Sequence, residues 1–477
     1  MHYVHSIIDG KEIDGQDGIL DVLDPGTGEK WAEAAECGAA EVDLAAKAAR
    51  AAYDNGWSDT PAVERGRLMR KLADLILRDG DRIAEFETRD VGKPISQAKK
   101  DVIAVARYFE YYGSIVECLD GDTLQTAPNV FGMTIREPFG VTGHITPWNY
   151  PLQMIARTLA PSLAAGNCCV LKPAELTPVN ASEIAKLALE AGFPPGVWNV
   201  VQGPGSTVGN ALTLHDGIDH VSFTGSRPVG ELVAINAAKH VIPVVLELGG
   251  KSPNVVFPDA DFDDAIPQIV NSIIQNAGQT CSAGSRVLIH EACYDEVTAR
   301  ITAHFKTITL GHGLTDPGMG PIVSAKQLDT VSGMVAEGIS RGQGEVLAGG
   351  KRAEGMGGGF FMEPTFFGNV PEGAYLFEEE IFGPVLVATK FSDEADAIRL
   401  ANATEFGLVA GVWTKDAGRA LRIAKKIKTG QVFINTYGAA GGVELPFGGW
   451  KKSGYGREKG FEGMLGYTQT KTIAIGL

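Results

Sequence analysis

The sequence predicts an α/β protein made of two Rossmann-like α/β domains with a small additional β element, and three observations carry that prediction. Short apolar runs alternate with helix-spaced segments between residues 139 and 247. Such alternation indicates a parallel sheet covered by helices on both faces. After Pro243 the pattern restarts and continues to about residue 450. The chain has 477 residues, 44% of them hydrophobic, enough to bury more than one core.

Taken in order, residues 24–28 (Asp-Pro-Gly-Thr-Gly) read as a turn between two strands. Helical spacing covers 41–53 and 61–78, the latter with Leu68, Leu72, Leu75 and Ile76 on one face, and also 81–91 and 97–113. Residues 141–145 form a short apolar run ending at Thr146-Pro147. Helix-like sequence follows over 151–165, then a buried strand over 168–172, a helix over 182–191 and a strand over 197–201. A helix over 206–214, a strand over 221–223 and a helix over 230–239 complete the first unit. In the second unit, strands are expected over 244–248, 254–257 and 286–290, with a helix over 265–276. Residues 349–359 read as a glycine-rich surface loop. The tail, 467–475, alternates polar and apolar residues as a strand does. A terminal strand needs a partner, and another subunit is the expected source.

Composition excludes several functions. A formal net charge of -16 argues against nucleic acid as a partner. No apolar run is long enough to span a bilayer, and residues 1–10 lack the apolar core of a secretion signal. The six cysteines are too sparse for a disulfide framework and do not pair with histidines at zinc spacing. The expected setting is the cytoplasm, with no metal and no membrane partner.

Several residues could carry chemistry. Cys281 lies among small residues (Gly278-Gln279-Thr280-Cys281-Ser282), where a substrate can reach the sulfur. A free thiol titrates near ~8.5, so a reactive site must favour ionisation or provide a base. The alternative is a structural cysteine, the reading given to Cys168 and Cys169 inside an apolar strand. Glu247 interrupts an apolar run and precedes Leu248-Gly249-Gly250-Lys251. Burial would raise its pKa toward the range of a general base; pairing with Lys251 is the competing reading.

Phe223-Thr224-Gly225-Ser226-Arg227-Pro228-Val229-Gly230 follows a strand and opens a helix, where free N–H groups favour a pyrophosphate. A plain strand–turn–helix is the alternative. Lys172-Pro173-Ala174-Glu175 ends a strand, where ligands of parallel sheets bind. A lysine and a carboxylate there could hold ribose hydroxyls or simply form a solvated turn. Thr146-Pro147-Trp148-Asn149-Tyr150-Pro151 joins a strand to a helix. The asparagine amide could donate to an oxyanion or cap that helix.

In order and spacing these motifs, with Glu379-Glu380-Ile381-Phe382-Gly383-Pro384 and Pro446-Phe447-Gly448-Gly449, resemble the aldehyde dehydrogenase superfamily over nearly the whole chain. The resemblance implies that Cys281 is the nucleophile and Glu247 the base that activates the hydrolytic water. Asn149 and the Cys281 backbone N–H would form the oxyanion hole. On the cofactor side it implies roles for Thr146, Pro147, Trp148, Gly225, Gly230 and Leu248. Lys172 and Glu175 would hold the adenosine ribose, Ser226 the pyrophosphate, and Glu380 the nicotinamide ribose, with Phe382 packed near the ring. Residues 1–116 and 139–247 are then the NAD-binding domain and 248–450 the catalytic domain. Residues 117–138 and 451–477 are oligomerisation or bridging segments, in a homodimer or homotetramer. The Glu175 carboxylate would repel a 2′-phosphate, so NAD is expected over NADP, although some relatives with this glutamate accept both.

The substrate side rests on Tyr150, Arg157 and Phe447. Arg157 lies where semialdehyde and lactaldehyde relatives carry arginine, and guanidinium binds carboxylate in a fork. The segment 441–447 also resembles the semialdehyde branch. A second arginine of that branch is Gln275 here, and an expected serine is Gly442. The expected substrate is an aldehyde bearing an anionic or hydroxyl group, with pairing of Arg157 to a neighbouring carboxylate as the competing reading. Two other functions are kept open: a CoA-acylating semialdehyde dehydrogenase, and a non-catalytic crystallin-like protein of this fold.

Overall fold

The computed structural model describes residues 2–438 and 442–477. Gly441, part of the segment compared with semialdehyde relatives, lies outside them.

Two sheets organise the chain. The first has eight strands, and its parallel centre is ordered Val244–Glu247, His220–Thr224, Val141–Ile145, Cys168–Lys172, Trp198–Val200. These strands are buried along nearly their whole length, as expected between two helical layers. Antiparallel strands close both edges: Gly454–Tyr455 beside Val244–Glu247, and the Ser6–Ile8/Lys11–Ile13 hairpin beside Trp198–Val200. The second sheet has seven strands: Glu345–Ala348, Thr365–Gly368, Val385–Phe391, Arg286–His290, Pro253–Val256, Val409–Trp413 and Gln431–Ile434. All its pairings are parallel except the first.

In the first sheet the chain runs outward from Val141–Ile145 to Cys168–Lys172 and Trp198–Val200. It then returns to the other side of Val141–Ile145 with His220–Thr224 and Val244–Glu247. Connections therefore diverge between Val141–Ile145 and His220–Thr224, opening a crevice at the carboxyl ends of those strands. Register pairs Ile145 with both Lys172 and Phe223, and Thr224 with Glu247. The motifs that follow each strand are thus level with one another along one edge.

Several expectations need correction. The tail strand, Thr468–Gly476, finds its partner within the same chain: it pairs antiparallel with Val130–Pro138 over its whole length. Earlier in the 451–477 segment, Gly454–Tyr455 joins the first sheet and Gly460–Leu465 forms a short helix. The segment expected as a helix over 206–214 is helical, a π-helical turn over Gly205–Gly209 running into the short α-helix Asn210–Thr213. The helix expected from Gly230 starts at Arg227, because Pro228 fits a first helical turn and Ser226 takes the cap position. The helix expected to reach residue 276 ends at Ile274, because Asn276 and Ala277 turn left-handed (φ 49° and 52°).

Candidate active site

A cavity of about 1370 Å³ lies between the two large sheets. Pro147, Trp148, Asn149, Gly225 and Ser226 line it from the first unit, and Cys281, Glu380 and Phe382 from the second. Glu247, Leu248, Tyr150, Arg157 and Phe447 line it too.

The thiol is presented by a strained loop. Asn276, Ala277 and Gly278 all have positive φ, which is unfavourable for the first two. Gly278 is required, since a Cβ there would lie 2.1 Å from the Gly383 carbonyl oxygen. Side chains pin the loop: Asn276 Nδ2 donates to the Asn149 carbonyl at 2.7 Å, and Gln279 Oε1 accepts from the Val323 N–H at 2.9 Å. Cys281 is half-buried beside Leu408, Val409 and Phe447. Burial pushes its thiol up to about 11; Arg157 opposes this, and Glu247 and Glu380 add to it. The resting sulfur therefore holds its proton at neutral pH, and a base must remove it.

Asn149 is buried, and its Nδ2 donates to the Gln279 carbonyl at 2.9 Å. An amide nitrogen carries two protons, so this bond orients the group and leaves one donor available.

Glu247 is 2% exposed at the end of its strand. Its partner is not Lys251. Arg157 Nη2 lies 3.4 Å from Glu247 Oε2, and Arg157 Nε contacts Glu458 Oε2. Arg157 is thus held between two buried carboxylates, with its guanidinium carbon 4.1 Å from the centre of the Phe447 ring. Burial opposes its charge, but Glu458 and then Glu247 outweigh burial and raise its pKa. For Glu247, burial dominates and raises the pKa well above the ordinary carboxylate range, against the pull of Arg157. Of the two readings of Arg157, the structure displays the carboxylate pairing. Lys251 is buried apart from Glu247, and burial with the nearby Arg286 pulls it down to about 7.

Tyr150 is buried, with Lys93 Nζ 4.0 Å from its ring centre and its hydroxyl 3.2 Å from that of Thr280. Gln275 lines the cavity and donates to the Tyr150 hydroxyl at 2.5 Å.

On the cofactor side, Lys172 Nζ pairs with Glu175 Oε2 at 2.8 Å. Burial would raise Glu175, but Lys172 more than offsets it, and the carboxylate stays below its ordinary pKa. Ser226 takes the N-cap position of the helix Arg227–His240 without a side-chain cap hydrogen bond, and the first-turn N–H groups of that helix have no intrahelical acceptors. Gly230 is a packing requirement, since a Cβ there would lie 2.5 Å from Leu248 Cδ2. Glu380 accepts from the Gly250 N–H at 2.8 Å, and a Cβ on Gly249 would come within 2.0 Å of its carboxylate. Burial pushes Glu380 up to about 7. Trp148 meets Phe382 edge-on, ring centres 5.3 Å apart. Thr146 Oγ1 is buried with no hydrogen-bond partner among the described residues. Lys172, Glu175, Thr146 and Gly230 stand outside the cavity lining.

Two site residues escaped the sequence reading: Glu458, which grips Arg157, and Lys459, which lines the cavity beside Phe447. Their one signal was the charged run Arg457-Glu458-Lys459 bracketed by Gly456 and Gly460. Among the described residues, no cluster of metal-ligating side chains occurs and no helix is long and apolar enough to cross a membrane.

Known proteins resemble this chain over nearly its whole length. Residues 13–473 match the model of the aldehyde dehydrogenase family. The chain is 41% identical to betaine aldehyde dehydrogenase of Bacillus subtilis over 472 residues, covering 98% of this chain and 96% of that protein. It is 42% identical to human (Homo sapiens) retinal dehydrogenase 2, covering 96% of this chain and 88% of the other. The solved NAD+ complex of an aldehyde dehydrogenase from Bacillus cereus superposes with a TM-score of 0.97 at 38% identity, covering 100% of this chain and 97% of that one.

Proposed function

The chain belongs to the aldehyde dehydrogenase family, and on that premise we propose that it oxidises an aldehyde to a carboxylic acid with NAD through a covalent bond to Cys281. The observation that carries this reading is one cavity lined jointly by Cys281, Glu247 and Asn149 and by the crevice residues Gly225, Ser226 and Glu380.

The residues fit the dinucleotide. Thr146 Oγ1 is an orphaned buried hydroxyl at the crevice, and Gly249 leaves its backbone bare beside the Glu380 carboxylate. Lys172 and Glu175 would hold the adenosine ribose, Ser226 the pyrophosphate, and Glu380 the nicotinamide ribose. Trp148 and Phe382 would flank the nicotinamide. Bound NAD supplies the hydride acceptor. Because Glu175 is held ionised by Lys172, a 2′-phosphate would meet a negative charge, which favours NAD over NADP.

The protein's own steps follow from the pKa pattern. Cys281 is neutral at rest, and Glu247, made more basic by burial and lining the same cavity, takes its proton once ionised. The thiolate adds to the carbonyl carbon, and the resulting oxyanion receives the spare Asn149 N–H and the Cys281 backbone N–H. Collapse of that oxyanion expels hydride and leaves a thioester. Glu247 first gives the thiol's proton up to solvent; as a carboxylate again, it removes a proton from water, the hydroxide adds to the thioester carbon, the C–S bond breaks to release the acid, and the leaving thiolate takes the proton back from Glu247. Arg157 holds the Glu247 carboxylate in place.

For the substrate, an aldehyde with an anionic or hydroxyl group remains the reading, supported by the polar lining that Tyr150, Gln275 and Lys459 give the cavity. The relatives' names span betaine aldehyde and retinal, so the family alone does not choose. A homo-oligomer, dimer or tetramer, is supported by the edge position of Thr468–Gly476 and by exposed Val229, Leu232 and Ile235 on one helix. A reducing cytoplasm is supported by six free thiols. NADH formation with an aldehyde panel tests the function: Cys281→Ala and Glu247→Gln must each abolish turnover, and acid must form without CoA.

A further inference from the structure

Four cationic side chains line the cavity, Lys100, Arg107, Arg157 and Lys459; Arg107 pairs with Glu444 at 2.7 Å, and the two that lie against Phe447, Arg157 and Lys459, differ in how they are engaged. Arg157 is taken up by Glu247 and Glu458. Lys459 is not: among the described residues its ammonium meets no carboxylate at ion-pair distance and no hydrogen-bond acceptor. Its Nζ sits 5.5 Å from the Phe447 ring centre and 5.8 Å from that of Tyr108. That aromatic bed accepts a cation but leaves its N–H donors unspent.

The backbone gives a second, independent indication. Lys459 has φ 60° and ψ 171°, a conformation that glycine tolerates and that strains any residue with a side chain. The neighbours impose it. The Glu458 N–H donates to the Phe447 carbonyl at 2.7 Å, and the Phe447 N–H to the Glu458 carbonyl at 2.6 Å. On the other side the Gly460 N–H donates to the Val443 carbonyl at 2.7 Å. A lysine at a position shaped for glycine, with its charge uncommitted in the reaction cavity, is the pattern of a side chain kept for what it binds.

Charge pairing points the same way. Arg157 lies between Glu247 and Glu458, and Arg107 is paired with Glu444 at 2.7 Å, so these carboxylates are already engaged, and Lys459 lines the cavity with none at ion-pair distance among the described residues. Burial pulls Lys459 down to about 8, with Arg157 adding to that and Glu458, Cys281 and Glu247 opposing it, so at neutral pH it is still mostly cationic.

We propose that Lys459, rather than Arg157, is the anion anchor of this site, receiving the carboxylate of an aldehyde acid whose carbonyl carbon reaches Cys281. This rests on Cys281 being the nucleophile, and it narrows the substrate class to carboxylate-bearing aldehydes.

Two readouts test it. The first needs no turnover: alkylation of Cys281 by anionic iodoacetate against neutral iodoacetamide, followed on the Cys281 peptide by mass spectrometry. The ratio cancels any change in thiol ionisation. The second is the ratio of kcat/KM for succinic semialdehyde to that for butanal. Lys459→Met is expected to lower both ratios by about 10–100-fold, the loss of one charge-assisted contact, and Lys459→Arg to restore most of it. Lys459→Gly, which suits the backbone, should match Lys459→Met. Ratios unchanged in both neutral variants, or a wild type that shows no preference for the anionic member of either pair, overturn the anchor while leaving aldehyde oxidation intact. Conversely, a Lys459-dependent preference in alkylation without NADH formation from any aldehyde upholds the anchor and sinks the dehydrogenase reading.

Discussion

Replacing Arg157 with methionine separates an electrostatic role from a packing role. The guanidinium is 3% exposed and lies 3.4 Å from a Glu247 oxygen, with Glu458 on its other side. At an effective dielectric of ~20, one such contact is worth ~5 kcal/mol of Coulomb attraction before desolvation. Removing one member of a buried ion pair leaves uncompensated charge and typically costs ~3–5 kcal/mol. Methionine keeps much of the volume against Phe447, so most of the loss should be electrostatic. The pH dependence carries the diagnosis. Glu247 already sits well above the ordinary carboxylate range because of burial, and Arg157 is the main group pulling it down. Without Arg157 its folded pKa rises further. An unfolded glutamate sheds its proton near ~4.3 while the folded one keeps it, so stability falls as pH rises from there through the folded value. Relative to wild type, the variant should lose ~3–5 kcal/mol at pH 8 and measurably less at pH 5.5, where the buried carboxylates left without Arg157 can neutralise themselves by taking up protons. Urea unfolding followed by tryptophan fluorescence at both pH values measures this. An equal loss at the two pH values would show that Arg157 acts through packing. A loss below ~1 kcal/mol at pH 8 would remove the ion-pair argument altogether.

Other outcomes follow from the same geometry. With the Cys281 thiol near 11, iodoacetamide labelling of the cofactor-free protein should rise about tenfold per pH unit from 7 to 10; a plateau below pH 9 would mean a far more acidic thiol. Asn149→Ala removes an oxyanion donor and the tie to Gln279, and kcat should drop ~10²–10³-fold with KM changed much less; an effect on KM alone would move Asn149 out of the chemistry. Glu175→Gln removes the negative charge facing the 2′ position and should raise the NADP-to-NAD ratio of kcat/KM about tenfold or more; an unchanged ratio would place cofactor choice elsewhere.

The helices and strands of the first sheet were legible because their chemistry is local. The run at 168–172 is fully buried as its composition requires, and the helix Pro151–Ala165 starts at its proline and stops at Gly166 with φ 102°. Legibility failed where backbone shape depends on distant atoms. Nothing near Asn276 and Ala277 announces two consecutive left-handed residues; contacts to Asn149, Val323 and Gly383 impose them. The tail strand was readable as a strand, but its partner at 130–138 lies more than three hundred positions away in the chain.

The sequence by itself determined the two α/β units and the order of motifs at their strand ends, because periodicity and turn chemistry act over a few residues. It also marked Cys281, Glu247 and Asn149 as the residues to watch. Only the tertiary structure decided which charges meet. Arg157 is spent on Glu247 and Glu458, Lys251 stands apart from Glu247, and Lys459 keeps its charge in the cavity. Ion pairing falls off within a few ångströms, and separation along the chain does not predict separation in space.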